Sequence, residues 1–511
     1  MERLSSYVLG RWHPAAGELQ LLVDPTSEAP LAQAGSGGID FRAVLAYARE
    51  RGGPALRKMT FAERGKLLAA IAGAIHEKRD ELIEVSIQSG GTTRGDAKFD
   101  IDGAIGTLTY YAGLAEKLGA QTYLLDGAGV QLGRTPRFSG QHVLVPRQGV
   151  AVHVNAFNFP AWGMMEKAAC ALLAGVPVVE KPGTPTALLA WRIAQIVALK
   201  AGLPEGAYQV VVGSLGDALD HMGPQDVLAF TGSSTTGAKL RGHPNVVRHN
   251  VRINVEADSL NAAVLAPDVD PSSETFGLFL NNVVLDMTQK TGQKCTAVRR
   301  ILVPSDKIAL VRDELVAALA RIVVGDPADK ATRMGPLASK SQLDEVRAGI
   351  ERLAKSGTIA CGGSKPIREK GYFVAPTLIV ADDGRHPSFH AEEVFGPVAV
   401  LLPYSGDALE AAAIVNLGGG GLVCSAYSND GAWNQAFALE AAPWHGRVWL
   451  ACDKLADQAL PPGMVLPQMV HGGPGRAGGG EELGAERGLA FYQQRTALQG
   501  FQGHLQAYGV R

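Results

Sequence analysis

From Pro146 onward the chain alternates between short apolar strands and helices, and this rhythm limits the folds open to it more than any single residue does. Val150-Ala151-Val152-His153-Val154 reads as a buried strand, Asn155 to Pro160 as a loop, Ala161 to Leu173 as a helix and Val176 to Val179 as the next strand, entering Lys181-Pro182. Thr186 to Lys200 reads as a helix closed by Gly202 and Pro204, followed by a strand at Tyr208 to Val212. A further helix is expected through Leu215 and Leu219. After it come a strand at Val227 to Phe230 and Thr231-Gly232-Ser233-Ser234-Thr235-Thr236-Gly237, which opens one more helix. Strands separated by helices at this spacing predict an α/β protein whose parallel sheet is covered on both faces. In such sheets ligands bind at the carboxyl ends of the strands, and anions favour a helix N-terminus with glycine beside it. Gly232 to Gly237 lacks the G-x-G-x-x-G spacing, so alone it reads equally well as a plain strand-to-helix turn.

The flanking segments have other rhythms. Short apolar runs such as Leu19 to Val23 precede helical stretches, the first capped by Thr60 and Glu63 and carrying Leu67, Leu68, Ile71 and Ile75 on one face. A second helix runs through Ile101, Ile105, Leu108 and Tyr111. Tyr123 to Val145, broken by several glycines, reads as an extended hairpin. A second alternating region spans about Arg252 to Leu460, with helices around Phe276 to Lys290 and Ile308 to Ile322 and strands around Arg300 to Val303 and Val398 to Leu402. The tail has a glycine-rich loop, then Ala490 to Leu498 ending in a strand. At 511 residues the chain has room for two or three domains. A formal charge of −2 gives no basic excess to attract nucleic acid. No run of eighteen apolar residues suggests a membrane span and no secretory signal opens the chain, so a cytoplasmic protein is expected.

Five cysteines, odd in number and irregularly spaced, argue against a disulfide framework or a metal site. Cys170, Cys361, Cys424 and Cys452 lie mainly among Ala, Leu, Val and Gly and read as structural. Cys295 differs, standing in Lys290-Thr291-Gly292-Gln293-Lys294-Cys295-Thr296-Ala297. A thiol becomes reactive when positive charge or helix N-terminal amides favour its thiolate, and Lys290 and Lys294 are charges close in sequence.

Phe157-Asn158-Phe159-Pro160, Glu166-Lys167, Glu180-Lys181-Pro182, Gly202-Leu203-Pro204-Glu205-Gly206, Phe230-Thr231-Gly232-Ser233, Glu256, Gly292-Gln293-Lys294-Cys295 and Glu392-Glu393-Val394-Phe395-Gly396-Pro397 occur in this order. Together they resemble the aldehyde dehydrogenase superfamily over nearly the whole chain. The resemblance implies a Rossmann-like cofactor domain at 1–122 and 146–252, an α/β catalytic domain at 253–465, and a small β bridging domain from 123–145 and 485–511. It implies Cys295 as nucleophile, Asn158 as oxyanion donor with the Cys295 backbone N–H, Glu256 as the base that activates water, and Lys167 as support for a proton path. The chemistry is coherent: hydride transfer from an aldehyde needs a tetrahedral carbon, which a thiolate adduct supplies. Losing one oxyanion donor typically costs about 3 to 4 kcal/mol, and a general base contributes about 10² to 10⁴ fold. Lys167 is otherwise an ordinary solvated helix lysine, and Asn158 a turn residue. Lys294 is expected to pack or to be solvated.

The same resemblance assigns Lys181 to the adenosine ribose, Gly232 and Ser233 to the turn at the pyrophosphate, and Glu393 and Phe395 to the nicotinamide ribose and ring. Members that prefer NAD usually carry a glutamate three residues after the lysine. Here Thr184 stands there, so no carboxylate repels a 2′-phosphate and NADP is the expected cofactor. Glu256-Ala257-Asp258-Ser259-Leu260-Asn261 lacks the two glycines frequent after the glutamate, Phe157 and Glu166 replace frequent tryptophans, and the separation of 39 residues from Glu256 to Cys295 is long. With the glycine-rich Leu466 to Gly484, these features resemble the branch that oxidises semialdehydes released from CoA-linked aromatics, and point to 3,4-dehydroadipyl-CoA semialdehyde in benzoate degradation. Some relatives carry a hydratase domain after the dehydrogenase, and the end at Arg511 leads us to expect none. The alternatives are free medium-chain aldehydes, a CoA-acylating reaction, and a binding protein without catalysis. Composition carries no signal for CoA. The hairpin and the tail would expose strand edges unless paired, so a homodimer or higher oligomer is expected.

Overall fold

The computed structural model describes residues 1–509. The alternating segment forms a seven-stranded sheet in the order Arg252–Glu256, Val227–Thr231, Ala151–Val154, Val178–Lys181, Tyr208–Val210, Ser6–Val8 and Arg11–His13. The first five are mutually parallel, and Ser6–Val8 and Arg11–His13 extend the edge antiparallel. Adjacent residues of one strand enter different cores: Val178 packs with Ala151, Val210 and Val227, and Val179 with Val152, Val211 and Leu228. That is the burial of a doubly covered sheet, and it explains why these strands read as continuous apolar runs.

A second seven-stranded sheet runs Thr358–Cys361, Thr377–Val380, Val398–Tyr404, Arg300–Pro304, Ala262–Leu265, Gly421–Tyr427 and His445–Ala451, parallel except for the first strand. It has its own apolar core. Arg252–Glu256 belongs to the first sheet, so that sheet continues past the expected boundary at 252 and hands over between Glu256 and Ala262. Leu124–Gln131 and Phe138–Pro146 form the expected hairpin, and Gln493–Phe501 adds to it as a third antiparallel strand.

Two local expectations meet different outcomes. Thr60 and Glu63 close the capping box at the start of the helix Phe61–Glu77, with Glu63 Oε2 2.7 Å from the Thr60 N–H. The helix expected through Leu215 and Leu219 is only a short 3-10 turn at Ala218–His221. Gly213 and Gly216 take φ of 140° and 49°, which a helix cannot accommodate. Among the described residues no helix is long and apolar enough to cross a membrane.

Candidate active site

In the first sheet Ala151–Val154 lies between Val227–Thr231 and Val178–Lys181, so the chain winds outward in both directions from it. The carboxyl ends of strands flanking such a switch point form a crevice. Asn155 to Asn158 follow Ala151–Val154, Lys181 ends the next strand, Gly232 and Ser233 follow Val227–Thr231, and Glu256 ends Arg252–Glu256. One edge therefore gathers residues that are up to a hundred positions apart in sequence.

Cys295 reaches this edge from the second sheet's side. It follows the helix Glu274–Thr288 through a turn in which Lys290 and Thr291 hold left-handed φ of 52° and 56°. Left-handed backbone at a β-branched residue costs on the order of 1–3 kcal/mol, and here the Thr291 hydroxyl donates to Gly335 O at 3.0 Å. A Cβ on Gly292 would sit 2.3 Å from Gly396 O, so only glycine fits. Asn261 donates to Cys295 O at 2.8 Å and to Ala297 O at 2.9 Å, fixing the Cys295 backbone from the other side. Neither neighbouring lysine serves the sulfur. Lys294 is buried and bonded to Asp286 at 2.8 Å and Gln289 at 2.9 Å, so it is neither solvated nor simple packing. Lys290 lies 3.8 Å from Asp100 and 4.2 Å from the Phe159 ring centroid.

Cys295, Glu256, Asn158 and Lys167 line a single pocket whose apolar wall includes Phe99, Phe159 and Trp162. The three rings meet edge to face at 5.3 to 6.0 Å. The Asn158 side-chain amide donates to Gln293 O at 3.0 Å, which sets it beside the loop that carries Cys295. Burial and the Glu256 carboxylate push the Cys295 thiol well above its ordinary value. Burial would raise Glu256 as well, but the charges of His471 and Lys167 and contact with His471 overcome it and bring Glu256 down to about 2.

Lys167 is almost fully buried, with its ammonium 3.6 Å from Glu166 Oε1 and 3.3 Å from Glu482 Oε2. Burial opposes its charge, and Glu482, Glu166 and Glu256 more than restore it. Glu166 is pushed up to about 8 by burial, with Lys167 opposing. The oxygens of Glu166, Glu256 and Glu482 all lie within 4.8 Å of one another. Sequence reasoning missed Glu482 and His471. His471 Nε2 lies 3.2 Å from Glu256 Oε1 and 3.9 Å from Cys295 Sγ. A polar histidine inside the glycine-rich Leu466 to Gly484 was the available signal, and Glu166 in place of a tryptophan was another.

Lys181, Thr184, Gly232 and Ser233 follow the strand ends along the same edge, while Glu393 and Phe395 come from the segment before Val398–Tyr404. Lys181 is half-buried, its pKa lowered by burial, and among the described residues no carboxylate lies within ion-pair distance of it. Its neighbour Glu180 is instead wholly buried against His153 at 2.7 Å and Asn155 at 2.7 Å. Thr184 opens the 3-10 turn Thr184–Thr186 and is half-buried. The Gly232 N–H donates to Glu256 O at 3.1 Å, tying the two strand ends together. Ser233 caps the helix Ser234–Arg241, accepting from the Thr236 N–H at 3.3 Å. Glu393 is held by Arg299 at 3.0 Å and by the Ser259 N–H at 3.0 Å, and burial lifts it to about 7 against the pull of Arg299. Phe395 meets Phe157 edge to face at 6.0 Å. An unpaired half-buried ammonium, a capped helix start and ordered strand ends fit a phosphate-bearing dinucleotide.

The family model described as the aldehyde dehydrogenase family matches residues 12–497. The chain is 45% identical to the 3,4-dehydroadipyl-CoA semialdehyde dehydrogenase of Aromatoleum evansii, over 92% of this chain and 93% of the relative. It is 32% identical to the chloroplastic betaine aldehyde dehydrogenase of Beta vulgaris, over 84% and 82% respectively. Among solved structures, the NAD+ complex of an aldehyde dehydrogenase from Bacillus cereus superimposes with a TM-score of 0.83 at 25% identity, covering 98% of this chain and 97% of that one.

Proposed function

The chain belongs to the aldehyde dehydrogenase family, and from that premise we propose that it oxidises a semialdehyde carried on a CoA thioester to the carboxylate, with NADP as hydride acceptor. The observation that carries the reading is the meeting of Cys295, Glu256 and Asn158 in one cavity with an apolar aromatic wall. Cys295 Sγ bonds to the aldehyde carbon as its proton passes to the Glu256 carboxylate, and the carbonyl electron pair moves to the oxygen beside Asn158. The nicotinamide, when bound, accepts hydride from that carbon. Loss of hydride leaves a thioester on Cys295; Glu256, having released the first proton to solvent, takes a proton from water, which attacks the thioester and releases the acid, and the thiolate recovers a proton as the thiol. Lys167, between Glu166 and Glu482, keeps a charged proton route next to Glu256.

Lys181 and Thr184 would hold the adenosine ribose and its 2′-phosphate. Gly232 and Ser233 would meet the pyrophosphate, and Glu393 and Phe395 the nicotinamide ribose and ring. NADP is favoured over NAD because the carboxylate that would repel the phosphate is replaced by Thr184. The substrate reading draws on the 45% identity to the Aromatoleum evansii enzyme, whose own substrate is 3,4-dehydroadipyl-CoA semialdehyde. Three edge-to-face rings suit a linear aliphatic chain. This is the reaction of benzoate degradation through CoA thioesters, in the cytoplasm. The test is catalytic efficiency on the CoA-linked and the free semialdehyde of equal length. A clear advantage for the CoA-linked form is expected. Equal efficiency would favour an enzyme of free medium-chain aldehydes, which the apolar wall also suits. Acyl-CoA as product would mean thioester transfer in place of hydrolysis. The three-stranded sheet of hairpin and tail serves as the bridge of a homodimer or larger homo-oligomer.

A further inference from the structure

His471 has no part in the reaction just described, yet it lies between the two groups that exchange charge. It sits on Val470–Gly473, paired antiparallel with Gly480–Leu483 so that Glu482 is its direct partner across the ladder. Gly472 holds φ of 142°, and a Cβ there would come within 2.0 Å of Gly480 O, so the strand is held tightly against its neighbour. The ring is 2% exposed. Its Nε2 reaches Glu256 Oε1 at 3.2 Å and Cys295 Sγ at 3.9 Å, while its Nδ1 is buried with no hydrogen-bond partner among the described residues. The charged and titratable groups around it come from five elements. They are Glu256, Cys295, Glu166 with Lys167 on the helix Trp162–Ala174, Glu482, and Arg447 on His445–Ala451.

We propose that the His471 imidazolium is a positioning residue, the counter-charge shared by Glu256 and Cys295. It holds the Glu256 carboxylate against the nucleophile and stabilises the negative charge when that charge passes to sulfur. The thiol proton moves from Sγ to the Glu256 carboxylate, one S–H bond breaking and one O–H bond forming. The negative charge then rests on Sγ, and the imidazolium keeps its own proton throughout. Once Glu256 holds the proton, the charge rests on a half-buried sulfur that water solvates poorly, and the imidazolium 3.9 Å away supplies the counter-charge that a low dielectric demands. The geometry agrees with the direction of titration: burial opposes the imidazolium, yet Glu256 outweighs it and raises His471 above its ordinary value. The device therefore works below the raised imidazolium pKa and is lost as pH rises through it.

This inference rests on Cys295 and Glu256 acting as proposed above, but its test needs neither aldehyde nor cofactor. The rate of Cys295 alkylation by iodoacetamide is followed against pH by mass spectrometry of the Cys295 peptide, in the wild type and in His471→Gln. The variant should react about tenfold more slowly at neutral pH, corresponding to a thiol pKa about one unit higher, with its profile displaced to higher pH. Superimposable profiles would overturn the proposal. Should His471→Gln fail to fold, imidazole NMR titration of the wild type and of Glu256→Gln decides it. The His471 midpoint should lie above the ordinary histidine value and fall in Glu256→Gln, and an equal midpoint in both would overturn the assignment. Full dehydrogenase activity in Cys295→Ala would instead sink the functional reading, leaving the titration result standing.

Discussion

A half-buried thiol whose pKa is pushed well above its ordinary value must give up its proton to react, and a Glu256 oxygen lies within 4.8 Å of Sγ. In the proposed reaction the same residue later activates water. Glu256→Gln should therefore lower steady-state turnover by about 10² to 10⁴ fold. A burst of NADPH and an accumulating thioester on Cys295, seen by stopped-flow absorbance and intact mass, would place its main contribution at hydrolysis. No burst with Cys295 still alkylated would place it at the first step. At the cofactor, Thr184→Glu should cut the ratio of NADP to NAD catalytic efficiency by at least about tenfold, or about 1.4 kcal/mol. An unchanged ratio would remove Thr184 from the explanation. Cys295, Glu256 and Asn158 stood out in the sequence because each belongs to a local motif. His471 and Glu482 did not, because their importance comes from a two-stranded pairing and from approaching Glu256 across more than two hundred residues.

Elements were legible where one local rule dominated. The capping box, the long helices and the alternating strands follow from spacing alone. The turn at Lys290 and Thr291 did not, because left-handed φ at non-glycine residues is imposed by the hydrogen bond to Gly335 and by the close approach of Gly292 to Gly396. Histidines packed beside the second sheet give this region its own pH response. His390 Nδ1 lies 3.0 Å from the Arg300 guanidinium and its Nε2 2.9 Å from Gly384 O, an arrangement that needs a neutral ring accepting from arginine. His445 Nδ1 lies 2.9 Å from Ala441 O. Burial lowers both to about 4. The unfolded chain binds protons at these sites near pH 6.5 while the folded one resists until about 4. Their stabilisation is therefore present above the unfolded value and is lost as pH falls through that window. The loss is on the order of 3 kcal/mol per ring when complete. Thermal midpoints measured from pH 7 to 4 should fall, and His445→Asn should flatten the slope. A slope equal to the wild type's would clear His445 of the effect.

At the scale of the whole molecule, the first sheet delivers Lys181, Gly232, Ser233 and Glu256 along one edge, and the second sheet's side delivers Cys295, Glu393 and Phe395 towards it. The glycine-rich segment from Val470 to Leu483 brings His471 and Glu482 against both. The alternating pattern made the two-sheet organisation readable, whereas how the sheets face one another depends on packing that no local spacing encodes. The hairpin and tail form a third sheet set apart from this edge. In its order Gln493–Phe501, Phe138–Pro146, Leu124–Gln131, both outer strands keep one edge unpaired among the described residues. Val130 and Phe501 are exposed on these outer strands, and Leu132 and Phe138 are exposed beside them. Open edges carrying large apolar side chains favour pairing with a second copy, since strand addition satisfies the backbone groups and covers the apolar surface together. Light scattering on the purified chain should give at least twice the chain mass, and Val130→Arg with Phe501→Arg should bring it to the monomer. Because Cys295 and the edge it reaches belong to other sheets, that monomer should keep Cys295 alkylation at the wild-type rate. A wild type that runs as a monomer at micromolar concentration would show that these edges are protected in some other way.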